Sequence, residues 1–151
     1  MTILITRPNY DPGTNYLFYW SKSVIDFANK RKVKVLDLSG EKANKKDFLS
    51  YVRKHNPKLI FFNGHGNEES VMGQNDMVLA DLKEGSVFLG TIIYARSCEA
   101  AQKLGPQCVK DGALAFIGYT KKFTIGYTPE KVARPLEDPV AKLFLEPSNL
   151  I

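Results

Sequence analysis

Four consecutive apolar residues, Leu59 to Phe62, constrain the fold of this chain most strongly. The run is short, and Lys58 and Asn63 bound it on either side. A strand with one wet face would alternate apolar and polar residues, whereas a continuous run of this length is typical of a strand covered on both faces. We therefore predict a buried strand over residues 58–62, inside a sheet that carries helices on each side.

Comparable apolar runs, rich in β-branched residues, recur along the sequence. They predict further strands over residues 2–6, 33–38, 91–95 and 113–118, a small hairpin inside 71–82 and an edge strand at 123–125. Strands that alternate with helices favour parallel pairing. The expected fold class is therefore α/β, a three-layer, mostly parallel sheet flanked by helices, in one domain over residues 1–151.

The segments between these strands have helical spacing. After Thr14, which can cap a helix, apolar residues recur every three or four positions and predict a helix over residues 14–31 with a buried stripe. The stripe consists of Leu17, Trp20, Val24 and Phe27. Further helices are predicted over residues 44–55, 99–110 and 137–145. Gly105 and Pro106 are expected to kink or interrupt the third of the four predicted helices.

Composition and charge exclude several classes of protein. The chain is 44% hydrophobic and 25% charged with a net charge of +5, but its basic runs lack a nucleic-acid-binding motif, so we expect no nucleic-acid partner. No apolar run approaches the roughly 20 residues of a membrane-spanning helix. Two cysteines and no signal-peptide pattern predict reduced thiols and a cytoplasmic location. The histidines and cysteines show no paired ligand spacing, so we expect no metal and no other cofactor.

Two potentially reactive residues follow successive predicted strands. His65 lies in a Gly-His-Gly turn after the third strand, and Cys98 follows the fourth. The carboxyl ends of parallel strands meet at one edge of a sheet, and adjacent strands are only about 4.8 Å apart. Each residue alone has an ordinary structural interpretation, a tight turn for His65 and a buried small hydrophobe for Cys98. Their joint placement predicts one reactive cleft.

The chemistry that this pair predicts is nucleophilic catalysis. Cys98 would begin a helix, whose amides favour a thiolate, and His65 would take the thiol proton and later give it to the leaving amine. The N–H groups of Gly66 and Cys98 would form an oxyanion hole. The sequence pattern identifies no third residue that would orient the imidazole, so we expect a dyad. Cys108, inside a predicted helix, is expected to lie in the core.

The segments around His65 and Cys98 resemble those of the caspase-like cysteine peptidases, the clan that includes caspases, gingipain, clostripain and separase. One hydrophobic block of that clan runs into His-Gly, and a second runs into Cys with a small residue at the next position but one. Here these are residues 59–66 and 91–100, and residues 112–119 resemble the fifth-strand segment of prokaryotic caspase-like domains. The similarity covers about residues 1–119.

This resemblance implies a cysteine endopeptidase in which Cys98 attacks the peptide carbonyl and His65 is the acid and base. It also implies the strand order 2-1-3-4-5 with a sixth strand beyond, so we expect a domain that is truncated at its C-terminus or completed by a homo- or hetero-oligomer. Relatives that cut after basic residues use an acidic pocket residue. The candidates here are Asp76 and Glu99, together with Glu68 and Glu69, and the sequence does not choose among them. The Gln-Ala-Cys-Arg-Gly sequence of caspases is absent.

Two other functions compete with a peptidase that acts on a peptide or protein substrate. A catalytically silent, caspase-like interaction or regulatory module would keep the fold without the activity. A flavodoxin-like domain that binds a nucleotide or phosphate would use the turn around His65 for the anion, although no phosphate-binding glycine fingerprint follows the first strand.

Overall fold

A computed structural model describes residues 1–122 of the chain. The strands are β1 (Thr2–Arg7), β2 (Lys34–Ser39), β3 (Leu59–Asn63), β4 (Ser70–Met72), β5 (Val78–Asp81), β6 (Ile92–Arg96) and β7 (Ala115–Ile117). The helices are α1 (Pro12–Lys30), α2 (Lys45–His55) and α3 (Leu104–Lys110), with 3₁₀ turns at Gly40–Lys42, Gln74–Asp76 and Leu82–Phe88. The strand predicted at 123–125, the helix predicted at 137–145 and the sixth strand lie outside these residues.

Five parallel strands form the central sheet in the order β2-β1-β3-β6-β7. The predicted hairpin is the separate antiparallel pair β4-β5. Without that pair the strand order is 2-1-3-4-5, so the predicted α/β class and order are confirmed. Lys34 pairs with Thr2 at the amino ends of β2 and β1, which places this lysine at the edge of the sheet opposite the carboxyl ends.

The central strand β3 is buried on both faces, as its apolar run predicts. On one face Phe62 packs with Phe48 of α2 and with Phe88, in a core that α3 completes. On the other face Phe61 stacks on Tyr94 of β6 with ring centroids 4.8 Å apart, beneath α1. Helices therefore cover both faces of the sheet.

Helix α1 begins earlier than the sequence predicts. Its N-cap is Asp11 rather than Thr14, and Thr14 instead occupies the third helical position of a capping box. Pro12 fits the first helical position because its fixed φ suits the helix and its missing N–H would have no acceptor there. The predicted stripe is correct for Leu17 and Trp20, but Phe27 is exposed and packs against the Arg31 guanidinium 3.9 Å from its ring centroid.

Helix α3 is shorter than the predicted helix over residues 99–110. It begins at Leu104, so Pro106 lies in the first turn, where amides have no intrahelical acceptor and a missing N–H produces no kink. The prediction that Cys98 begins a helix is therefore wrong. The thiol precedes α3 by a series of turns, and Glu99 beside it has a left-handed φ of 59°.

Candidate active site

The registers of β3 and β6 bring His65 and Cys98 to the same level of the sheet. Asn63 and Arg96 are paired residues at the carboxyl ends of these strands, and the two candidate residues each follow two positions later. Both side chains line one cavity of about 220 Å³. Its other walls are the first turns of α1, Gly64, Arg96 and Ser97. The predicted cleft is thus present as a common cavity.

Gly66 lets the histidine loop lie directly against the cysteine segment. A β-carbon at this position would lie 2.8 Å from the Cβ of Ser97 and 3.1 Å from the carbonyl oxygens of Cys98 and Ser70. Gly66 also forms an isolated antiparallel bridge with Val71. The hydrogen bonds on either side of the bridge join His65 to Met72 and Asn67 to Ser70. The Gly66 amide therefore points away from Val71, because residues of a non-hydrogen-bonded pair direct their N–H groups outward.

Asp11, which sequence analysis missed as a site residue, contacts the imidazole of His65. The Nε2 atom of His65 lies 2.5 Å from Oδ2 of Asp11, and both side chains are partly exposed. A carboxylate only accepts hydrogen bonds, so Nε2 carries the proton and donates it. In the neutral imidazole, Nδ1 is then the basic nitrogen. Asp11 is thus a third candidate residue beside His65 and Cys98.

The capping box of α1 fixes the position of Asp11. Its Oδ1 accepts hydrogen bonds of 2.7 Å from the Thr14 amide and 2.8 Å from the Thr14 hydroxyl, which leaves Oδ2 for His65. Partial burial raises the pKa of Asp11, but the hydrogen bonds from the Thr14 amide and from His65 outweigh it and hold the pKa below its ordinary value. The carboxylate that orients His65 is therefore ionised at neutral pH.

A second set of contacts joins the histidine loop to the cysteine segment. The carbonyl oxygen of Glu68 accepts hydrogen bonds from the backbone amides of Lys103 and Leu104 at the start of α3. The Lys103 ammonium also pairs with the carboxylates of Glu68 and Glu69, at 2.7 and 3.0 Å. These contacts hold the two loops in one arrangement.

Arg96, also missed by sequence analysis, lies in the cavity wall two residues before Cys98. Its guanidinium donates through Nε and Nη2 to Oδ1 of Asn63, and through Nη2 to the Ser21 hydroxyl and the Leu17 carbonyl of α1. It lies 4.8 Å from the centroid of the Phe61 ring. Loss of hydration lowers the pKa of Arg96 to about 10, so the group is still a cation at neutral pH.

The two acidic residues proposed for the substrate pocket lie elsewhere. Asp76 accepts a 3.1 Å hydrogen bond from the hydroxyl of Tyr10, whose ring contacts the His65 ring edge-on. Glu99 lies in the turn after Cys98. Neither residue lines the cavity. Cys108 is buried in the core as predicted, and burial raises the pKa of its thiol to about 12.

Comparison with known proteins assigns no family to this site. No protein-family profile and no curated protein matches the sequence. In residues 1–122, no group of three or more His, Cys, Asp or Glu side chains could hold a metal ion, and no helix is long and apolar enough to cross a membrane. The fold and the cavity define an α/β protein with an Asp-His pair and a thiol at the carboxyl edge of its sheet.

Two sequence signals could have revealed the missed residues. The Asp11-Pro12 step, followed by Thr14, is the pattern of an N-cap with proline at the first helical position. It places a carboxylate at the sheet edge where His65 lies. Arg96 interrupts an apolar strand at its last position, directly before the cysteine segment. A charged residue at the carboxyl end of a strand lies next to any site at that edge of the sheet, as Arg96 does here.

Proposed function

We propose that this protein is a cysteine endopeptidase with an Asp11–His65–Cys98 constellation. The observation that carries the proposal is the fixed imidazole. Asp11 occupies Nε2 of His65, which leaves Nδ1 as the basic nitrogen, and His65 lines the same cavity as Cys98. An oriented base and a nucleophile in one cavity are the parts that acyl transfer through a thiol requires.

In the first step, the Cys98 sulfur attacks the carbonyl carbon of the scissile peptide. The sulfur–carbon bond forms while the thiol proton moves to Nδ1 of His65, and the resulting imidazolium is stabilised by the Asp11 carboxylate. His65 then gives this proton to the amide nitrogen as the carbon–nitrogen bond breaks. The amine product leaves, and the acyl group stays on Cys98 as a thioester.

In the second step, water attacks the thioester. His65 takes a proton from the water and returns it to sulfur, so that the carboxylic acid product leaves and the thiol is restored. The oxyanion of both tetrahedral intermediates would accept hydrogen bonds from the amides of Gly66 and Cys98. The outward direction of the Gly66 amide, away from Val71, supports its part in this role.

The substrate of such an enzyme is a peptide or protein, and a homo- or hetero-oligomer is proposed to complete the pocket. We place the protein in the cytoplasm, where thiols stay reduced. Neither Cys98 nor Cys108 forms a disulfide. A catalytically silent interaction module is the alternative, and it would bind peptides through the same cavity without cleaving them.

The direct test is cleavage of a varied peptide library, read by mass spectrometry. The wild-type protein and the Cys108→Ala variant should release the same products, whereas Cys98→Ala and His65→Ala should release none above background. Cys108→Ala is the matched control because it removes a thiol remote from the cavity. Products that persist in Cys98→Ala, or intact peptides with the wild-type protein and its assembled oligomer, would contradict the proposal.

A further inference from the structure

We infer that the cavity beside Cys98 binds an acidic side chain, so that the peptidase cleaves after aspartate or glutamate. Arg96 and Ser97 would bind the carboxylate of the residue whose carbonyl Cys98 attacks. This inference rests on the proposed function and names its substrate class. It differs from the cleavage after basic residues that the acidic candidates Asp76 and Glu99 would favour.

The charge of the cavity comes from Arg96. Among residues 1–122 no carboxylate pairs with this guanidinium, whose hydrogen-bond partners are an amide oxygen, a hydroxyl and a backbone carbonyl. A partly buried cation that only neutral groups surround is incompletely stabilised, and an anionic ligand would supply the missing charge. Basic side chains would be repelled by the same group.

The donor geometry of Arg96 also leaves a place for a ligand. Its hydrogen bonds to residues 1–122 use Nε and Nη2, so within this part of the chain both N–H groups of Nη1 remain available. The bonds to Asn63, Ser21 and Leu17 hold the guanidinium plane in one position between β3 and α1. A fixed guanidinium binds a carboxylate with little further loss of side-chain entropy.

Ser97 provides a second and independent observation. Its side chain is only 1% exposed and lines the cavity, yet its Oγ has no hydrogen-bond partner among the residues that the structure describes. Such a buried hydroxyl costs stability unless a ligand satisfies it. A carboxylate that enters the cavity would accept from the Ser97 hydroxyl as well as from Arg96.

The remaining walls are compatible with an anion. The carboxylate of Asp11 contacts His65 in the cavity wall, but its two oxygens already accept hydrogen bonds from His65 and from Thr14. Helix α1 begins in the cavity wall, and the start of a helix carries positive charge. The volume of about 220 Å³ is below the roughly 300–1,000 Å³ of sites for whole small molecules, so the cavity suits a single side chain.

The test compares three peptidyl acyloxymethyl ketones that differ only in the residue next to the reactive group, namely aspartate, asparagine or lysine. The rate at which each alkylates Cys98 is measured by intact-mass spectrometry. Asparagine has the shape of aspartate without its charge, so the ratio of their rates isolates the carboxylate. A charge-assisted hydrogen bond predicts a ratio of about 10 to 100 in favour of aspartate, with lysine the slowest.

Variants assign the preference to the proposed residues. Arg96→Gln should reduce the aspartate-to-asparagine ratio to near 1. Ser97→Ala removes only a hydroxyl group from the buried side chain, and it should reduce the ratio several-fold. The exposed Arg53→Gln is the matched control and should leave the ratio unchanged. If Arg96→Gln does not fold, Ser97→Ala and a decline of the wild-type ratio with added salt decide the question.

The outcomes separate this inference from the proposed function. Equal rates for aspartate and asparagine, a faster lysine probe, or a ratio that Ser97→Ala leaves unchanged would overturn acidic selection. In each of these cases, a reaction of Cys98 with iodoacetamide that depends on His65 would still support the proposed peptidase function. If iodoacetamide shows no such dependence, the proposed function fails and the inference fails with it.

Discussion

The carboxylate of Asp11 caps α1 and at the same time accepts the Nε2 proton of His65, across 2.5 Å. One residue therefore links the start of a helix to the orientation of the candidate base. The helix needs an N-cap for structural reasons alone, and the cap places Asp11 at the carboxyl edge of the sheet. The position of His65 thus depends on an element that lies more than fifty residues earlier in the chain.

The Asp11→Asn variant separates the two roles of this residue. Asparagine caps helices about as well as aspartate, so the free energy of unfolding should change by less than about 0.5 kcal/mol. Its side-chain NH₂ group would donate to Nε2 and move the imidazole proton to Nδ1, where it blocks the base. We expect kcat/KM to fall by at least about 10-fold, since a positioned base contributes about 10²–10⁴-fold. Full activity in this variant would show that Asp11 does not orient His65.

The pH dependence of stability provides a second test of the Asp11 contacts. Its lowered pKa means that the native state holds this carboxylate ionised at pH values where the unfolded chain takes up a proton. The resulting stability is present above about pH 4 and is lost as the pH falls through the native pKa. Urea unfolding between pH 6 and pH 3 should therefore show a steeper decline for the wild-type protein than for Asp11→Asn. Parallel curves would contradict this assignment.

The close approach of the two loops predicts the effect of a methyl group at Gly66. Gly66→Ala should destabilise the fold by about 1–3 kcal/mol, since its β-carbon would overlap Ser97 and two carbonyl oxygens. Gly13→Ala is the control, at a glycine in the first turn of α1 that lines the cavity. Its β-carbon would make ordinary contacts of 3.6 Å, and alanine should stabilise α1 by up to about 1 kcal/mol. Equal unfolding free energies for the two variants would contradict the packing described.

The second thiol of the protein predicts a clear difference in reactivity. Burial and the nearby Asp111 carboxylate raise the pKa of Cys108 to about 12, so the thiol stays protonated in the folded protein. At pH 9, iodoacetamide should leave Cys108 unmodified until urea unfolds the chain, which mass spectrometry of the peptide that contains it can follow. Modification of Cys108 in the folded protein at a rate similar to that of Cys98 would contradict its place in the core.

The sheet was predictable because each of its strands carries its own signal. The apolar run of β3 requires cover on both faces, and the alternation with helices leaves parallel pairing as the simplest arrangement. The ends of helices were harder to predict, since local propensity competes with contacts made elsewhere. Thr14 is itself a favourable N-cap residue, although a weaker one than Asp11. At the start of α3, the amides of Lys103 and Leu104 donate to the carbonyl of Glu68, which belongs to the other loop.

The site was only half predictable for the same reason. His65 and Cys98 follow strands, so their joint position comes from the sheet itself. Asp11 and Arg96 act through distant partners, namely the imidazole on another loop and the carbonyl, hydroxyl and amide groups of α1 and β3. Pairings of this kind depend on the packed arrangement of elements and leave only weak traces in the spacing of residues.

The rate of alkylation of Cys98 by iodoacetamide at pH 7 tests the central claim most directly. In the wild-type protein Cys98 should react at least about 10-fold faster than in His65→Ala, because a positioned base activates its thiol. Replacement of the other histidine, His55→Ala at the end of α2, should leave the rate unchanged. A Cys98 rate that is equal in all three proteins and no greater than that of Cys108 would contradict the claim that His65 and Cys98 form a catalytic pair.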